Sequence, residues 1–168
     1  MGGVRDATVQ IRHAAITEVD ALAQLWFDGW QDAHAAILPE ALRRLRTLES
    51  FKERLLRGLA EVRVAGPADA PLGFCMVKGD ELYQLFVSAQ ARGAGVAAVL
   101  MTDGEARLAE RGVNTAWLAC AIGNERAARF YGKSGWHHVG SQIIQLETTA
   151  GAFDLEVWRF QKRLLPGA

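Results

Sequence analysis

Two glycines and three alanines lie in the stretch QARGAGVA, residues 90–97, between the apolar run LYQLFV and the helix-like VLMTDGEARLAERG. Small side chains at such a position let the chain reverse tightly and let a helix pack closely on a sheet. They also leave the free amides of the first helical turn, which carry about half a positive charge, open to an anion. Arg92 adds a cation at the same place. The stretch by itself is compatible with a plain turn and with a phosphate-binding loop.

The common nucleotide-binding patterns do not describe this stretch. A Walker A loop ends in Gly-Lys-Ser/Thr, which is missing here. Gly93 and Gly95 are followed by Ala98 where the dinucleotide fingerprint has its third glycine. A doubly wound dinucleotide-binding enzyme is therefore a poor fit.

The spacing of apolar residues predicts a mixed α/β chain. Thr17 is predicted to cap a first helix that reaches His34, and a second helical region is predicted over 40–58. A further helix follows the glycine-rich stretch as far as Gly112, and another ends at Gly135. Strands are predicted over 8–14, in EVRVAG and PLGFCMVKG, over 81–88, in NTAWLAC, in WHHVGSQIIQLE and in FDLEVWRFQKRL.

A second motif, in the segment NERAARFYGKSGW at 124–136, changes the interpretation of the glycine-rich stretch. The pattern Asn-x-x-Ala-x-x-Phe-Tyr is matched there by Asn124, Ala127, Phe130 and Tyr131. Together with LFVSAQARGAGVAAVLM, this segment resembles the GCN5-related N-acetyltransferase (GNAT) family, with the motifs in the family's order and spacing. The resemblance is strong over 72–140 and looser elsewhere. It implies an α/β fold of one domain, with a mixed β-sheet, helices on both faces and splayed central strands.

The pyrophosphate loop of that family, Arg/Gln-x-x-Gly-x-Gly/Ala, fits the chain in two frames. One frame starts at Gln90 and the other at Arg92. The second frame has the better spacing from the strand LFV and to the helix AAVLM, and Ala97 then stands where glycine is commoner. The resemblance implies that the loop holds the pyrophosphate of acetyl-coenzyme A, the implied cosubstrate, through Arg92, Gly93, Ala94, Gly95, Val96 and Ala97.

Two further contacts with the cosubstrate are implied by the resemblance. Backbone groups near Phe86 and Val87 would pair with the pantetheine arm, because the strands 81–88 and 114–120 splay apart in such a fold. Asn124 occupies the place of the family's asparagine that contacts the cofactor. Its alternative role is a simple helix N-cap, and the two roles are compatible.

Acetyl transfer to an amine raises two proton problems. An amine with a pKa of about 10.4 must lose a proton before it attacks, and the departing thiolate benefits from a nearby acid. The resemblance places Tyr131 at the general-acid position, with a core tyrosine beside Phe130 as the alternative. It aligns Glu81 with the catalytic glutamate of the histone-acetylating branch, although a residue after KGD could equally lie on a solvated hairpin tip. Strand alternation predicts Glu81, Tyr83 and Leu85 on one face and the even-numbered residues on the other.

The acceptor site is expected between the first two helices and the last strands. Its candidate residues are Trp30, His34, Tyr83, Asp154 and Glu156. An aromatic and acidic lining of this kind would suit a cationic amine. Neither Cys75 nor Cys120 lies in an activating setting, which favours direct transfer in a ternary complex over an acyl-enzyme route.

The sequence therefore predicts an enzyme, an acetyl-coenzyme A-dependent N-acetyltransferase that acts on a primary amine of a small molecule or peptide. The alternative is a catalytically silent module of the same fold that binds coenzyme A or a partner. Cofactor binding without acetyl transfer to any of a broad range of amines would favour that alternative.

The composition narrows the classes of partner. Half of the 168 residues are hydrophobic, and 19 basic residues balance 19 acidic ones, which fits one domain over 1–168 and gives no reason to expect nucleic acid or a membrane surface. No apolar run approaches the roughly 18 residues of a bilayer span, and the N-terminus lacks a signal core, so the protein is expected in the cytoplasm. Neither CxxC nor HExxH occurs, and no metal site is predicted. A homodimer stays open.

Overall fold

Seven strands form one sheet within residues 9–164, the range that the computed structural model describes. They are β1 (Ile11–His13), β2 (Val62–Ala65), β3 (Gly73–Lys78), β4 (Glu81–Val87), β5 (Thr115–Ala121), β6 (His137–Thr148) and β7 (Gly151–Arg163). The order across the sheet is β1-β2-β3-β4-β5-β7-β6, and every pair of neighbours is antiparallel except β4 and β5. The predicted start of the first strand, residue 8, lies outside the described range.

The α-helices of this range connect the strands in the predicted order, with one additional break. They are α1 (Val19–His34), α2 (Glu40–Leu45), α3 (Leu48–Arg57), α4 (Val96–Glu110) and α5 (Glu125–Lys133). Short 3-10 turns lie at Ile16–Glu18, Leu59–Glu61 and Ala89–Ala91.

The predicted start of the first helix is wrong. Thr17 does not cap α1, because it lies inside the 3-10 turn that precedes the helix. The carboxylate of Glu18 accepts a hydrogen bond from the backbone N–H of Ala15 at 2.8 Å, and it also pairs with Arg12 at 2.7 Å. A buried acidic side chain thus satisfies a free amide at the start of the turn, and Thr17 has no capping role there.

The prediction of a continuous helical region over 40–58 is also wrong. The hydroxyl of Thr47 accepts a hydrogen bond from the backbone N–H of Ser50 at 3.1 Å and starts α3 as its N-cap. The residue before it, Arg46, has a ψ of 69°, outside the helical range, and ends α2. The break between the two helices turns the Arg46 side chain away from the helix surface and into the protein, where the residue is only 3% exposed.

Helices cover both faces of the sheet. On one face α1, α2 and α3 enclose a hydrophobic cluster that includes the strand residues Val62, Val64, Phe74 and Met76. On the other face α4 and α5 pack against a cluster that includes the strand residues Cys75, Val77, Leu118 and Phe160. The predicted α/β fold, a mixed sheet between two helical layers, is confirmed.

A β-bulge in β4 overturns the predicted alternation of its side chains. The register with β3 shifts between Leu82, opposite Val77, and Gln84, opposite Met76, so Tyr83 is the extra residue. Tyr83 and Phe86 therefore both pack on the α1 side, whereas Leu82 and Leu85 both pack on the α4 side. The extra residue changes which face the following side chains occupy, although the strand continues. Strict alternation predicts the wrong face for the residues after it.

The parallel neighbours β4 and β5 meet at one end only. Their single paired position joins Glu81 and Trp117, where the backbone N–H of Trp117 donates to the Asp80 carbonyl at 3.2 Å. The indole Nε1 of Trp117 also donates to the Asp80 carboxylate at 3.0 Å. From this closed end the strands diverge towards Val87 and Ala121, which confirms the predicted splayed central strands. Their facing edges keep backbone groups that no strand satisfies.

Candidate functional site

One continuous cavity of about 340 Å³ fills the wedge between β4 and β5 and extends under α1, α2 and α3. Its walls come from the C-terminal half of α1, from β4, from the start of α5 and from the β6–β7 hairpin. One end of the cavity lies at the loop before α4, and the other, the predicted acceptor end, lies beneath the β6–β7 hairpin. Most of the residues predicted to do chemistry lie along it.

The loop before α4 has the geometry of an anion site. Gly93 and Gly95 both have φ of +83°, and a Cβ placed on either would meet no atom within 4 Å. Within residues 9–164, the first amide of the helix that finds a backbone acceptor belongs to Val99, which donates to the Gly95 carbonyl at 3.2 Å. Within that range, the preceding amides at the start of α4 have no backbone acceptor, which leaves them available to a bound phosphate.

Arg92 lies at the cavity, but its charge is already paired. Its guanidinium contacts the carboxylate of Asp32 on α1 at 2.8 Å, and Arg126 on α5 reaches the same oxygen at 3.4 Å. These contacts hold the pKa of Asp32 below its usual range, first through the hydrogen bond from Arg92. The anion-binding capacity of the loop therefore rests mainly on its amides, with Arg92 and Arg126 tied across the cavity mouth.

Asn124 has the N-cap role that was one of its two predicted roles. Its Oδ1 accepts a hydrogen bond from the backbone N–H of Ala127 at 3.2 Å. The residue also lines the cavity, so the side-chain NH₂ group is available to a ligand.

Tyr131 lies where β5 and α5 meet the cavity. Its ring packs against Phe130 and Phe160, with ring centroids 5.7 and 5.6 Å away. Its hydroxyl has no hydrogen-bond partner among the described residues, and burial raises the pKa of that hydroxyl. The group is a neutral donor with no competing protein partner.

Glu81 lines the same cavity and is not a solvated hairpin tip. Burial raises the pKa of its carboxyl to about 7, and the charge of Lys78 only partly opposes the effect. A carboxyl with that pKa takes and releases protons near neutral pH.

His34, the other candidate proton carrier in the cavity, is in a different state. Burial lowers the pKa of the ring to about 4, and a backbone hydrogen bond at Trp30 only partly opposes this effect. His34 is therefore neutral at physiological pH and a much weaker base than Glu81.

The predicted acceptor residues divide into two groups. Trp30, His34 and Tyr83 line the cavity as predicted. Asp154 and Glu156 do not, because alternation along β7 turns them outward and turns Leu155 and Val157 inward. The prediction of an acidic lining is wrong in these two positions.

Two arginines that the sequence analysis missed line the acceptor end. Arg46 lies at the break between α2 and α3, and its Nη1 donates to the Glu147 carbonyl at 2.8 Å. Arg54 on α3 lies 4.4 Å above the ring of Trp26 and donates to the Tyr83 hydroxyl at 2.9 Å. The N-cap signal of Thr47 could have located the helix break and with it Arg46.

Both cysteines are buried free thiols. Cys120 lines the cavity, and burial raises the pKa of its thiol to about 12. A thiol in that state carries almost no thiolate at neutral pH and is a poor nucleophile.

The chain matches the model of the Acetyltransferase (GNAT) family over residues 20–136. That range contains the loop before α4, the wedge between β4 and β5 and the motif at the start of α5. The match covers more than half of the sequence, and the chain belongs to the GNAT family of acetyltransferases. None of the curated proteins is similar enough in sequence to count as a relative.

Solved structures show the same fold. A GCN5-related N-acetyltransferase of Rhodopseudomonas palustris is 20% identical, with a TM-score of 0.73 over 94% of this chain and 97% of its own. The PaiA N-acetyltransferase of Thermoplasma acidophilum, solved with coenzyme A, is 16% identical, with a TM-score of 0.65 over 93% and 99%. A GNAT superfamily phosphinothricin acetyltransferase of Sinorhizobium meliloti, solved with acetyl-coenzyme A, is 15% identical, with a TM-score of 0.69 over 94% and 89%.

No helix between residues 9 and 164 is both long enough and apolar enough to cross a bilayer.

Proposed function

We propose that the protein transfers an acetyl group from acetyl-coenzyme A to a primary amine, directly, within a ternary complex. The observation that carries this proposal is the single cavity that joins the free amides before α4 to Tyr131 and Glu81. Two solved structures of the same fold hold coenzyme A or acetyl-coenzyme A, which supports the choice of cosubstrate.

The chain offers a fitting site for each part of the cosubstrate. The amides of Val96 and Ala97, which have no backbone acceptor among the described residues, suit the pyrophosphate, and the absence of side chains at Gly93 and Gly95 leaves the loop uncrowded. The unpaired edge of β4 at Phe86 and Val87 suits the amide groups of the pantetheine arm, which would act as a partial strand. The free NH₂ group of Asn124 faces the same region.

Glu81 acts as the general base in this mechanism. Its carboxylate takes the proton from the acceptor ammonium, directly or through water, and the neutral amine attacks the thioester carbonyl. The C–N bond forms, the C–S bond breaks, and coenzyme A leaves as the thiolate, while the second proton of the attacking nitrogen is released to solvent. The low pKa of His34 removes the competing base from the same cavity.

Tyr131 stabilises the leaving group. Its hydroxyl donates a hydrogen bond to the sulfur as negative charge develops there. Because burial raises the pKa of Tyr131 well above the value of about 8.5 typical of a thiol, complete proton transfer to the thiolate would be uphill. Solvent then supplies the proton when the product leaves.

Direct transfer is testable by initial-rate kinetics that follow thiol release with acetyl-coenzyme A and a set of amines. A ternary complex predicts double-reciprocal lines that intersect, and the high pKa of Cys120 predicts that Cys120→Ser keeps this pattern. Parallel lines that become intersecting in Cys120→Ser would instead identify an acetyl-cysteine intermediate. Coenzyme A binding without thiol release from any amine would indicate the silent module.

The base assignment predicts a pH dependence. Because Glu81 must be ionised to accept a proton, kcat/KM for the amine should rise as pH increases through about 7. Glu81→Gln should lose this inflection and lower kcat/KM about 100-fold at pH 8, while the separate rise from deprotonation of the free amine persists. An inflection near pH 7 that survives in Glu81→Gln would assign it to another group.

Tyr131→Phe should lower kcat about 10- to 100-fold and leave the Kd for acetyl-coenzyme A unchanged. The ring packing is retained, and the hydroxyl has no protein partner to lose. Tyr83→Phe, which removes the other tyrosine hydroxyl of the cavity, is the matched comparison and should act mainly on KM for the amine. Full turnover in Tyr131→Phe would remove Tyr131 from the mechanism.

Gly95→Ala should weaken coenzyme A binding at least tenfold by calorimetry. The alanine must adopt the left-handed conformation that Gly95 already has, at a cost of about 1–2 kcal/mol, and its methyl group adds bulk to the loop next to the amides of α4. Gly112→Ala is the control, since Gly112 has the same strained conformation (φ +85°) at the far end of α4. Both variants should lose similar stability, but equal coenzyme A affinities would contradict the phosphate assignment.

A further inference from the structure

The acceptor end of the cavity contains two guanidinium groups without a carboxylate partner. Within residues 9–164, neither Arg46 nor Arg54 forms a salt bridge. Other arginines of low exposure do, as in the pairs of Arg12 with Glu18 and of Arg107 with Asp103. Among the described residues, the fold thus pairs Arg107, the other buried arginine, with a carboxylate and leaves Arg46 and Arg54 without a carboxylate in contact.

Arg46 is the more deeply buried of the two. The residue is 3% exposed, and among its N–H groups Nη1 alone has a hydrogen-bond acceptor among the described residues, the Glu147 carbonyl. Burial and then the neighbouring positive charge of Arg54 lower the pKa of its guanidinium to about 10, and the charges of Tyr83 and Glu147 only partly oppose them. Two like charges close together in a cavity wall are costly unless a ligand compensates them.

Arg54 is held in place by contacts that do not neutralise it. Its guanidinium stacks on Trp26 at 4.4 Å and donates to the Tyr83 hydroxyl at 2.9 Å. Both contacts fix the plane of the group, and a fixed guanidinium is suited to bidentate recognition of a planar anion.

The carboxylate of the cavity, Glu81, forms no salt bridge with either arginine within residues 9–164. The charges that act on the Glu81 carboxyl are those of Lys78, Asp80 and Arg159, and neither Arg46 nor Arg54 is among them. The acceptor end therefore has one place, at Glu81, for an amine that gives up a proton, and a separate place for an anion.

We infer that the acceptor is a small amine that itself carries an anionic group, an amino acid or a close analogue, whose carboxylate lies between Arg46 and Arg54 while its amino group faces Glu81. This inference rests on the proposed acetyl transfer and names its substrate class. A cavity of about 340 Å³ that must also admit the end of the pantetheine arm leaves room for a small molecule. The two arginines oppose polyamines and other acceptors that are only cationic.

The test compares matched acceptors in the thiol-release assay with acetyl-coenzyme A. The common amino acids are assayed against their own carboxamides, which keep the amine and side chain but lose the charge, and against spermidine. We expect kcat/KM to be at least tenfold higher for the best acid than for its carboxamide, with spermidine the poorest acceptor. A carboxamide or spermidine that equals or exceeds every acid would overturn the inference and leave the acetyl transfer intact.

Substitutions of the two arginines test whether they bind the carboxylate of the acceptor. Arg46→Gln and Arg54→Gln should each raise KM for the acid about 10- to 100-fold, with little change for the carboxamide or for acetyl-coenzyme A. Arg44→Gln is the control, because it removes a charge from exposed α2 outside the cavity. Unchanged KM for the acid in both cavity variants, with folding verified by circular dichroism, would exclude the arginine pair as the anion site.

A binding measurement separates this inference from the proposed function. Calorimetry on the protein loaded with coenzyme A compares N-acetyl amino acids with their carboxamides. Tighter binding of the acids, weakened in Arg54→Gln, supports the anion site even if no amine is acetylated, in which case only the transfer activity fails. Equal binding of both series, or binding of neither, overturns the anion site.

Discussion

The functional architecture depends on the place where β4 and β5 stop pairing. A single paired position at Glu81 and Trp117, closed by two hydrogen bonds to Asp80, fixes one end of these strands. From there each strand follows a different partner: β4 stays with β3, and β5 pairs with β7 along its length. The sheet remains continuous, yet it has a wedge in which unpaired backbone borders a cavity. A ligand that pairs with this backbone can replace the missing strand contacts.

The bulge at Tyr83 determines what the wedge contains. With strict alternation Phe86 would lie on the α4 side, and the α1 side of the strand would keep only one of its two aromatic residues, Tyr83. The extra residue allows Tyr83 and Phe86 to pack on the same side, close to Trp26 and Trp30. Tyr83 can then accept a hydrogen bond from Arg54. A local irregularity of the backbone is thus coupled to the orientation of a charged group on a different element.

The sequence predicts the fold, the loop before α4 and the start of α5 better than it predicts the cavity lining beneath the hairpin, for a physical reason. The loop before α4 and the start of α5 are contiguous segments whose spacing is set by a helix turn, so Gly95 and Asn124 can be identified from local patterns. The acceptor end is assembled by a helix break at Arg46, a bulge at Tyr83 and the alternation of β7. Each of these depends on register or tertiary packing, and a shift of one residue reverses which side chains face the cavity. The prediction that Asp154 and Glu156 line the cavity is wrong for this reason.

In the proposed reaction, the charges of the cavity act on the acceptor amine in opposing ways. Burial raises the pKa of the Glu81 carboxyl to about 7. The carboxyl can accept a proton from the amine only when it is ionised, which is the case above that pH. Arg46 and Arg54 bring positive charge to the same enclosed space, and positive charge favours the neutral form of a nearby amine. An anionic group on the acceptor would neutralise the arginines and weaken this effect, which places more of the proton removal on Glu81. The arginine pair would therefore bind the anionic group of the acceptor at the expense of its own effect on the amine. Because Glu81 is not paired with either arginine, anion binding and proton removal can still occur in one cavity.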